Sequence, residues 1–383
     1  MDPHLELHTP IPGFLLANER TESFFEQIPV IDFTDIVSTN HRKRRDLADK
    51  IRDACINGTF LAESLSGLSH GFHQSAFSTP RIIPFLKVLW QMQSPQRETS
   101  LGSPLTPSLR YAGLFNLLSD LISFVRSRRC FLHSSSTSTR ARTSKATQRF
   151  SVGENTNPEG RGDLHEGFDI GWEESGDGPM AGVNVWPRDA DVPGFRDRVL
   201  EYYQAAVKFG QSLFPLFALA LDLPENFFDD KTTKPAAIMR LLHYPPQEPA
   251  IDDDGRIIGI GAHTDYECFT ILWQDAAGGL QVQNADGKWI DAVPIPGTFV
   301  INLGDQFARW TNDIFKSTVH RVTNRSGRER YSMPLFFGTD YDVLLEPLPS
   351  CISPGQTPKY EIVTAGEYVQ SRLAETYAHS KGD

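Results

Sequence analysis

The spacing of apolar and polar positions changes several times along the chain. Residues 28–36, IPVIDFTDI, carry a short apolar run of strand type, and Leu47, Ile51 and Cys55 then recur four apart among charged residues from Thr39 onward. A strand and a helix are expected to open the fold. From 58 to about 150 no period holds; Ser, Thr, Pro and Gln are frequent, and a badly ordered insertion is expected. Residues 192–223 restore a helical period, with Phe195, Val199, Tyr202, Tyr203, Ala206, Val207, Leu213, Phe214, Phe217 and Leu221 recurring mostly at three- and four-residue steps. Pro193 is tolerated in a first turn, whereas Pro215 is expected to kink this helix. Beyond 236 the pattern turns to short apolar runs rich in Ile, Val, Phe and Trp, separated by NADGK, PIPG, NLGD and NRSG. That spacing predicts an antiparallel barrel or jelly roll. Thr364 and Glu367 match a capping box ahead of Val369, Leu373 and Tyr377, which predicts a short amphipathic helix near the end.

The expected organisation is therefore an N-terminal strand and helix cap over 1–57 and an anomalous insertion over 58–150. A connecting segment with a long bracing helix covers 151–235, a mainly β core with flanking helices covers 236–345, and a C-terminal extension with a helix covers 346–383. With 383 residues, of which 39% are hydrophobic, the chain can bury a large core. Its 37 Lys and Arg against 48 Asp and Glu give a formal charge of −11, which disfavours nucleic acid and anionic membranes as partners. A small-molecule substrate and a monomer are expected. Residues 126–149 run against this balance with seven basic side chains and no acidic one. They lack the aromatic interleaving of a nucleic-acid module, so an unstructured tract is the expected reading.

Cys55, Cys130, Cys268 and Cys351 are far apart and form no C-x-x-C, so neither a zinc knuckle nor a disulfide framework is expected. The start, MDPHLELHTPIPGF, lacks a basic n-region and an apolar h-region, and no signal peptide is expected. The most apolar stretch, 109–125, is interrupted by Arg110 and Asp120 and is shorter than the roughly 20 residues of a spanning helix. A cytoplasmic location follows as an expectation.

The chemistry concentrates in GAHTDYECFTILWQD. His263 and Asp265 are two apart in a strand-like run, which turns both side chains to one face. His-x-Asp alone is a weak signal, and a surface His beside an Asp is its ordinary meaning. His320 in KSTVHRV changes that weight, because two imidazoles and one carboxylate are the ligands that hold Fe(II) on three corners of an octahedron. Zinc favours a closed tetrahedron and calcium more oxygens, so iron fits better. Arg330 and Ser332 in RYS share a face by the same alternation and could clamp a carboxylate through a planar guanidinium fork. Pairing of Arg330 with an internal Asp or Glu is the competing possibility.

Tyr-Pro-Pro, His-x-Asp, a distant His and Arg-x-Ser, in that order, resemble the 2-oxoglutarate- and Fe(II)-dependent dioxygenases of the isopenicillin N synthase-like group, in its fungal form. The resemblance covers about 236–345, with echoes at IPVIDF and in the long helix. It implies a double-stranded β-helix, with His263, Asp265 and His320 as iron ligands. It further implies that Arg330 and Ser332 bind the distal carboxylate of 2-oxoglutarate and that Tyr244 contacts this cosubstrate. Fe(II), 2-oxoglutarate and O₂ would then oxidise a C–H bond of a small organic molecule by hydroxylation, desaturation or ring closure, in secondary metabolism, with release of succinate and CO₂. NLGD at 302–305 is expected to be a tight turn and Trp310-Thr311-Asn312 a structural segment. His165, Glu166 and Asp169 in DLHEGFDIGWE imitate a second metal site, but a lining role beside the substrate is expected of that segment.

The chain departs from the family pattern in two places. Leu242 stands where the family carries Asn, and 58–148 lacks the glycine- and aromatic-rich strand that would follow RDACINGTF. Two alternatives stay open: an iron oxidase of the same fold that uses no 2-oxoglutarate, and a catalytically inactive jelly-roll protein.

Overall fold

The computed structural model describes residues 27–36, 38–56, 61–63, 163–173, 182–187, 189, 194–247, 259–295 and 298–378. Nearly all of the proposed insertion, with its basic tract, the apolar stretch 109–125, Cys130, Pro193 and the first 26 residues lie outside the described residues. In chain order the elements are β1 (Val30–Ile31), α1 (His41–Ile56), β2 (Leu61–Glu63), β3 (Glu166–Ile170), α2 (Phe195–Ala220), β4 (Ala237–Tyr244), β5 (Ile260–His263) and β6 (Phe269–Gln274). There follow β7 (Leu280–Gln283), β8 (Trp289–Asp291), β9 (Val300–Leu303), α3 (Asp305–Trp310), β10 (His320–Val322), β11 (Arg330–Phe337) and α4 (Ala365–Ala378).

Two sheets carry the fold, a seven-stranded one in the order β1-β2-β9-β6-β11-β4-β3 and a four-stranded one in the order β5-β10-β7-β8. All pairings are antiparallel except β1 with β2. Alternation assigns the faces. Met239 and Leu241 of β4, Leu335 and Phe337 of β11 and Ile271 of β6 turn outward into the larger core. Leu242, Tyr244, Leu272 and Val300 turn inward and meet Leu280, Val282 and Val322 of the smaller sheet, so the sheets close over a second core. This is the jelly roll expected from the spacing of the strands.

The long helix packs on the outer face. Phe214 and Phe217 touch Phe269 at ring-centroid distances of 5.3 and 5.1 Å, and truncating such a buried ring costs about 3–5 kcal/mol. Gly210 permits the approach, since a Cβ there would lie 2.9 Å from the Phe337 ring. The helix runs on past Pro215 to Ala220 and starts at Phe195 after Gly194, whose φ is 72°. Asn40 caps α1: its Oδ1 accepts the N–H groups of Arg42 and Lys43.

Leu61–Glu63 fall within the stretch read as an insertion, yet they form β2, parallel to β1 and antiparallel to β9. So short a strand takes its ladder from its neighbours and needs no periodic signature of its own.

The capping box at the last helix is formed. Glu367 Oε2 accepts from the Thr364 N–H at 2.9 Å, and Thr364 Oγ1 accepts from the Glu367 N–H at 3.1 Å. Thr364→Ala is expected to lower stability by about 1 kcal/mol, read as a shift of the urea midpoint with an unchanged slope. An unchanged midpoint would show that the helix end carries no share of global stability.

Candidate functional site

β10 lies between β5 and β7, and its register sets His320 directly opposite His263. The two rings are 4.3 Å apart between centroids. Asp265 follows β5 by two residues, and its Oδ1 lies 3.7 Å from His263 Nε2 and 3.6 Å from His320 Nε2. One ligand atom from each of the three residues thus falls within 4.8 Å of the others, and no second such cluster occurs among the described residues.

Each ligand atom is oriented from behind. His263 Nδ1 donates to the Gly261 carbonyl at 2.8 Å and His320 Nδ1 to the Thr318 carbonyl at 3.0 Å. Carbonyls only accept, so both rings carry their proton on Nδ1 and turn a lone pair at Nε2 toward Asp265. Asp265 Oδ2 accepts from Thr270 Oγ1 at 2.5 Å and Asn302 Nδ2 at 2.7 Å, which leaves Oδ1 facing the imidazoles. Burial, and then the neighbouring His320 imidazole, hold the His263 imidazole below its ordinary value, which favours the neutral ligating form. Burial opposes ionisation of Asp265, but the two imidazoles with Thr270 and Asn302 outweigh it and hold that carboxyl low. Nearby Glu267 goes the other way, pushed up to about 8 by burial and by the charge of Asp265. Two imidazole nitrogens and one carboxylate oxygen match the donor set of Fe(II) with three positions left open.

Asn302 belongs to NLGD, which is not the tight turn expected. Asn302 ends an inward-facing alternation with Val300 on β9, Asp305 N–H donates to the Asp265 carbonyl at 2.8 Å, and a Cβ on Gly304 would lie 2.3 Å from the Glu267 carbonyl oxygen. The segment cradles the Asp265 loop. Period two after Val300 was the available signal for Asn302.

Deeper in the same interior, Arg330 stands opposite Tyr244, and Ser332 opposite Gln274. Arg330 is 0% exposed, with its guanidinium carbon 4.6 Å from the Tyr244 ring centroid. Nε donates to the Gly278 carbonyl at 2.6 Å, Nη1 to Ser332 Oγ at 3.1 Å and Nη2 to Gln274 Oε1 at 3.3 Å. The Gly278-Gly279 turn supplies that carbonyl. Gly279 has φ 94°, and a Cβ there would lie 2.2 Å from the Thr323 carbonyl oxygen. Burial raises the Tyr244 phenol, with Arg330 acting against it. Among the described residues no carboxylate pairs with Arg330, which sets aside the internal pairing. A buried guanidinium without a carboxylate beside it has the chemistry to take an anionic group.

In the DLHEGFDIGWE segment the structure places Asp169 beside a cation of the chain. Asp169 pairs with Arg240 across β3 and β4, at 3.0 Å from Oδ1 to Nε and 3.0 Å from Oδ2 to Nη2. Leu242 takes the place of the family's Asn on the inner wall, where a Cβ on Gly167 would lie 3.3 Å from its Cδ2.

A sequence family described as the 2OG-Fe(II) oxygenase superfamily matches residues 235–339. The 2-oxoglutarate-Fe(II) type oxidoreductase hxnY of Emericella nidulans is 42% identical over 228 residues, covering 57% of this chain and 65% of that protein. The like-named oxidoreductase ppzC of Metarhizium majus is 32% identical over 390 residues, covering 96% of this chain and 92% of that protein. A full-length Neurospora crassa protein, solved in complex with alpha-KG and 5-formyluracil, superposes with a TM-score of 0.66 at 25% identity, covering 91% of this chain and 96% of that one. No described helix is long and apolar enough to cross a membrane.

Proposed function

The chain belongs to the 2OG-Fe(II) oxygenase superfamily, and from that premise we propose that it oxidises a C–H bond of a small organic molecule with Fe(II), 2-oxoglutarate and O₂. One observation carries the reading: His263, Asp265 and His320 converge in the same closed interior as a buried Arg330 without a carboxylate partner among the described residues. Together, Fe(II), 2-oxoglutarate and O₂ supply the C–H oxidant and yield succinate and CO₂. The protein's part is binding and orientation. His263, Asp265 and His320 would hold the ion. Arg330 and Ser332 hold the distal carboxylate of 2-oxoglutarate, with Tyr244 beneath the guanidinium. Leu242, Leu272 and Val300 keep the interior dry.

The substrate's polar group has a natural partner in Asp169–Arg240. Both residues alternate with outward-facing neighbours, Phe168 and Ile170 on β3 and Met239 and Leu241 on β4, and so turn inward; their side chains are 15% and 13% exposed. The pair carries no net charge and offers a donor beside an acceptor, so it suits an uncharged polar edge such as a ring amide better than a carboxylate. The same Neurospora protein has also been solved with thymine, a molecule with such an edge. A reducing compartment completes the proposal, since Cys55, Cys268 and Cys351 are buried and unbridged.

The decisive assay is anaerobic loading with Fe(II) and 2-oxoglutarate followed by O₂, with succinate measured against substrate oxidised. Stoichiometric succinate is expected, and uncharged lactams such as thymine or 2-pyridone are expected to stimulate it more than benzoate. O₂ consumption without succinate would favour the oxidase, and no turnover with any oxidisable compound would favour the inactive jelly roll.

A further inference from the structure

β5 carries His263, yet it is the edge strand of its sheet. β10 pairs with one side, and among the described residues no strand pairs with the other. An open edge leaves backbone N–H and C=O groups without a ladder, and buried groups of that kind are costly unless something else satisfies them. Here two buried side chains do so. Asp163 Oδ1 accepts the Gly261 N–H at 3.0 Å, and His165 Nδ1 donates to the Gly259 carbonyl at 2.9 Å. Asp163 is 2% exposed and His165 6%.

We infer that Asp163 and His165 stand in for a neighbouring strand along β5 and are positioning residues for His263. The relay is short. Asp163 anchors the N–H of Gly261, and the carbonyl of that same residue accepts the Nδ1 proton of His263 at 2.8 Å. A shift of Gly261 would turn the imidazole and its Nε2 lone pair away from Asp265. His165 fixes the strand one step earlier and joins it to the cosubstrate wall: its ring is 5.8 Å from the Tyr244 ring, and a Cβ on Gly259 would lie 2.7 Å from Tyr244 Cδ1. His320 needs no such device, because strands flank β10 on both sides. Of the two histidines, the one at the edge is thus the one whose orientation depends on side chains from outside its sheet.

The inference rests on the proposed metal reading, and Co(II), a spectroscopically visible stand-in for Fe(II), tests it in the full chain without turnover. Asp163→Ala is expected to weaken Co(II) binding about 10- to 100-fold and to change the shape of the visible band. Asp163→Asn keeps an oxygen that can accept the Gly261 N–H and is expected to stay near wild type. His165→Phe keeps the ring but not the donor, and is expected to weaken binding less than Asp163→Ala. Wild-type affinity and band shape in Asp163→Ala would overturn the inference. So would a D163A protein unfolded by circular dichroism, which would make Asp163 a general fold residue, or an Asn variant as weak as the Ala variant, which would make charge the operative property. A wild-type protein that binds no Co(II), or a His263→Ala variant that binds it undiminished, would instead defeat the metal reading itself.

Discussion

Asp265→Ala is expected to lower Fe(II) affinity by at least about a hundredfold and to abolish succinate formation. The floor comes from comparison: losing a residue that only orients a metal ligand already costs about 10- to 100-fold, and Asp265 is the one anionic ligand of the set. The substitution also leaves Thr270 Oγ1 and Asn302 Nδ2 without the buried acceptor they now share. Asn302→Ala removes one of those donors, keeps the ligand, and is expected to fall within the 10- to 100-fold range. Anaerobic calorimetry with Fe(II) measures both, and Asp265→Ala with wild-type affinity would end the assignment. Protons compete for the same lone pairs. Because burial holds the His263 imidazole below the ordinary histidine value of about 6.5, its neutral form persists as pH falls past that value. Iron retention should therefore decline at lower pH than an exposed histidine would dictate.

Arg330→Met is expected to raise the 2-oxoglutarate requirement about 30-fold to several thousandfold, with Fe(II) affinity unchanged. Truncating one partner of a buried charged contact costs about 2–5 kcal/mol, and each 1.4 kcal/mol is about tenfold in affinity. Methionine keeps the stem volume beside Tyr244 but loses the donors that reach Gly278, Ser332 and Gln274. Its effect on the unliganded protein should be small or favourable, because a buried cation without an ion-pair partner is itself a cost to folding. Wild type should gain thermal stability on adding 2-oxoglutarate, and the variant should not. Unchanged saturation by 2-oxoglutarate would move Arg330 from the cosubstrate to the substrate and favour the oxidase.

The barrel strands and the long helix were legible because each buries one face, and burial imposes the period of the backbone on the apolar positions. Val199, Phe214 and Phe217 announced the outer core, and Thr364 with Glu367 announced the last helix, since a cap acts within one turn of chain. Asn302, Thr270 and Asp163 were not legible as parts of the centre. They act through one or two hydrogen bonds to residues 37, 5 and 98 positions away, and no local pattern encodes such a partner. The same holds for Asp169 with Arg240, 71 positions apart.

By itself, then, the sequence determined which residues could serve as ligands and which faces would be buried, because side-chain type and backbone period are properties of short stretches. Only the tertiary structure decided that His320 stands across from His263, that Arg330 is buried beside Tyr244, and that Asp163 closes the edge of β5. Those are matters of strand register and sheet closure. They are set by the packing of the whole interior, which joins segments that have no common signature along the chain.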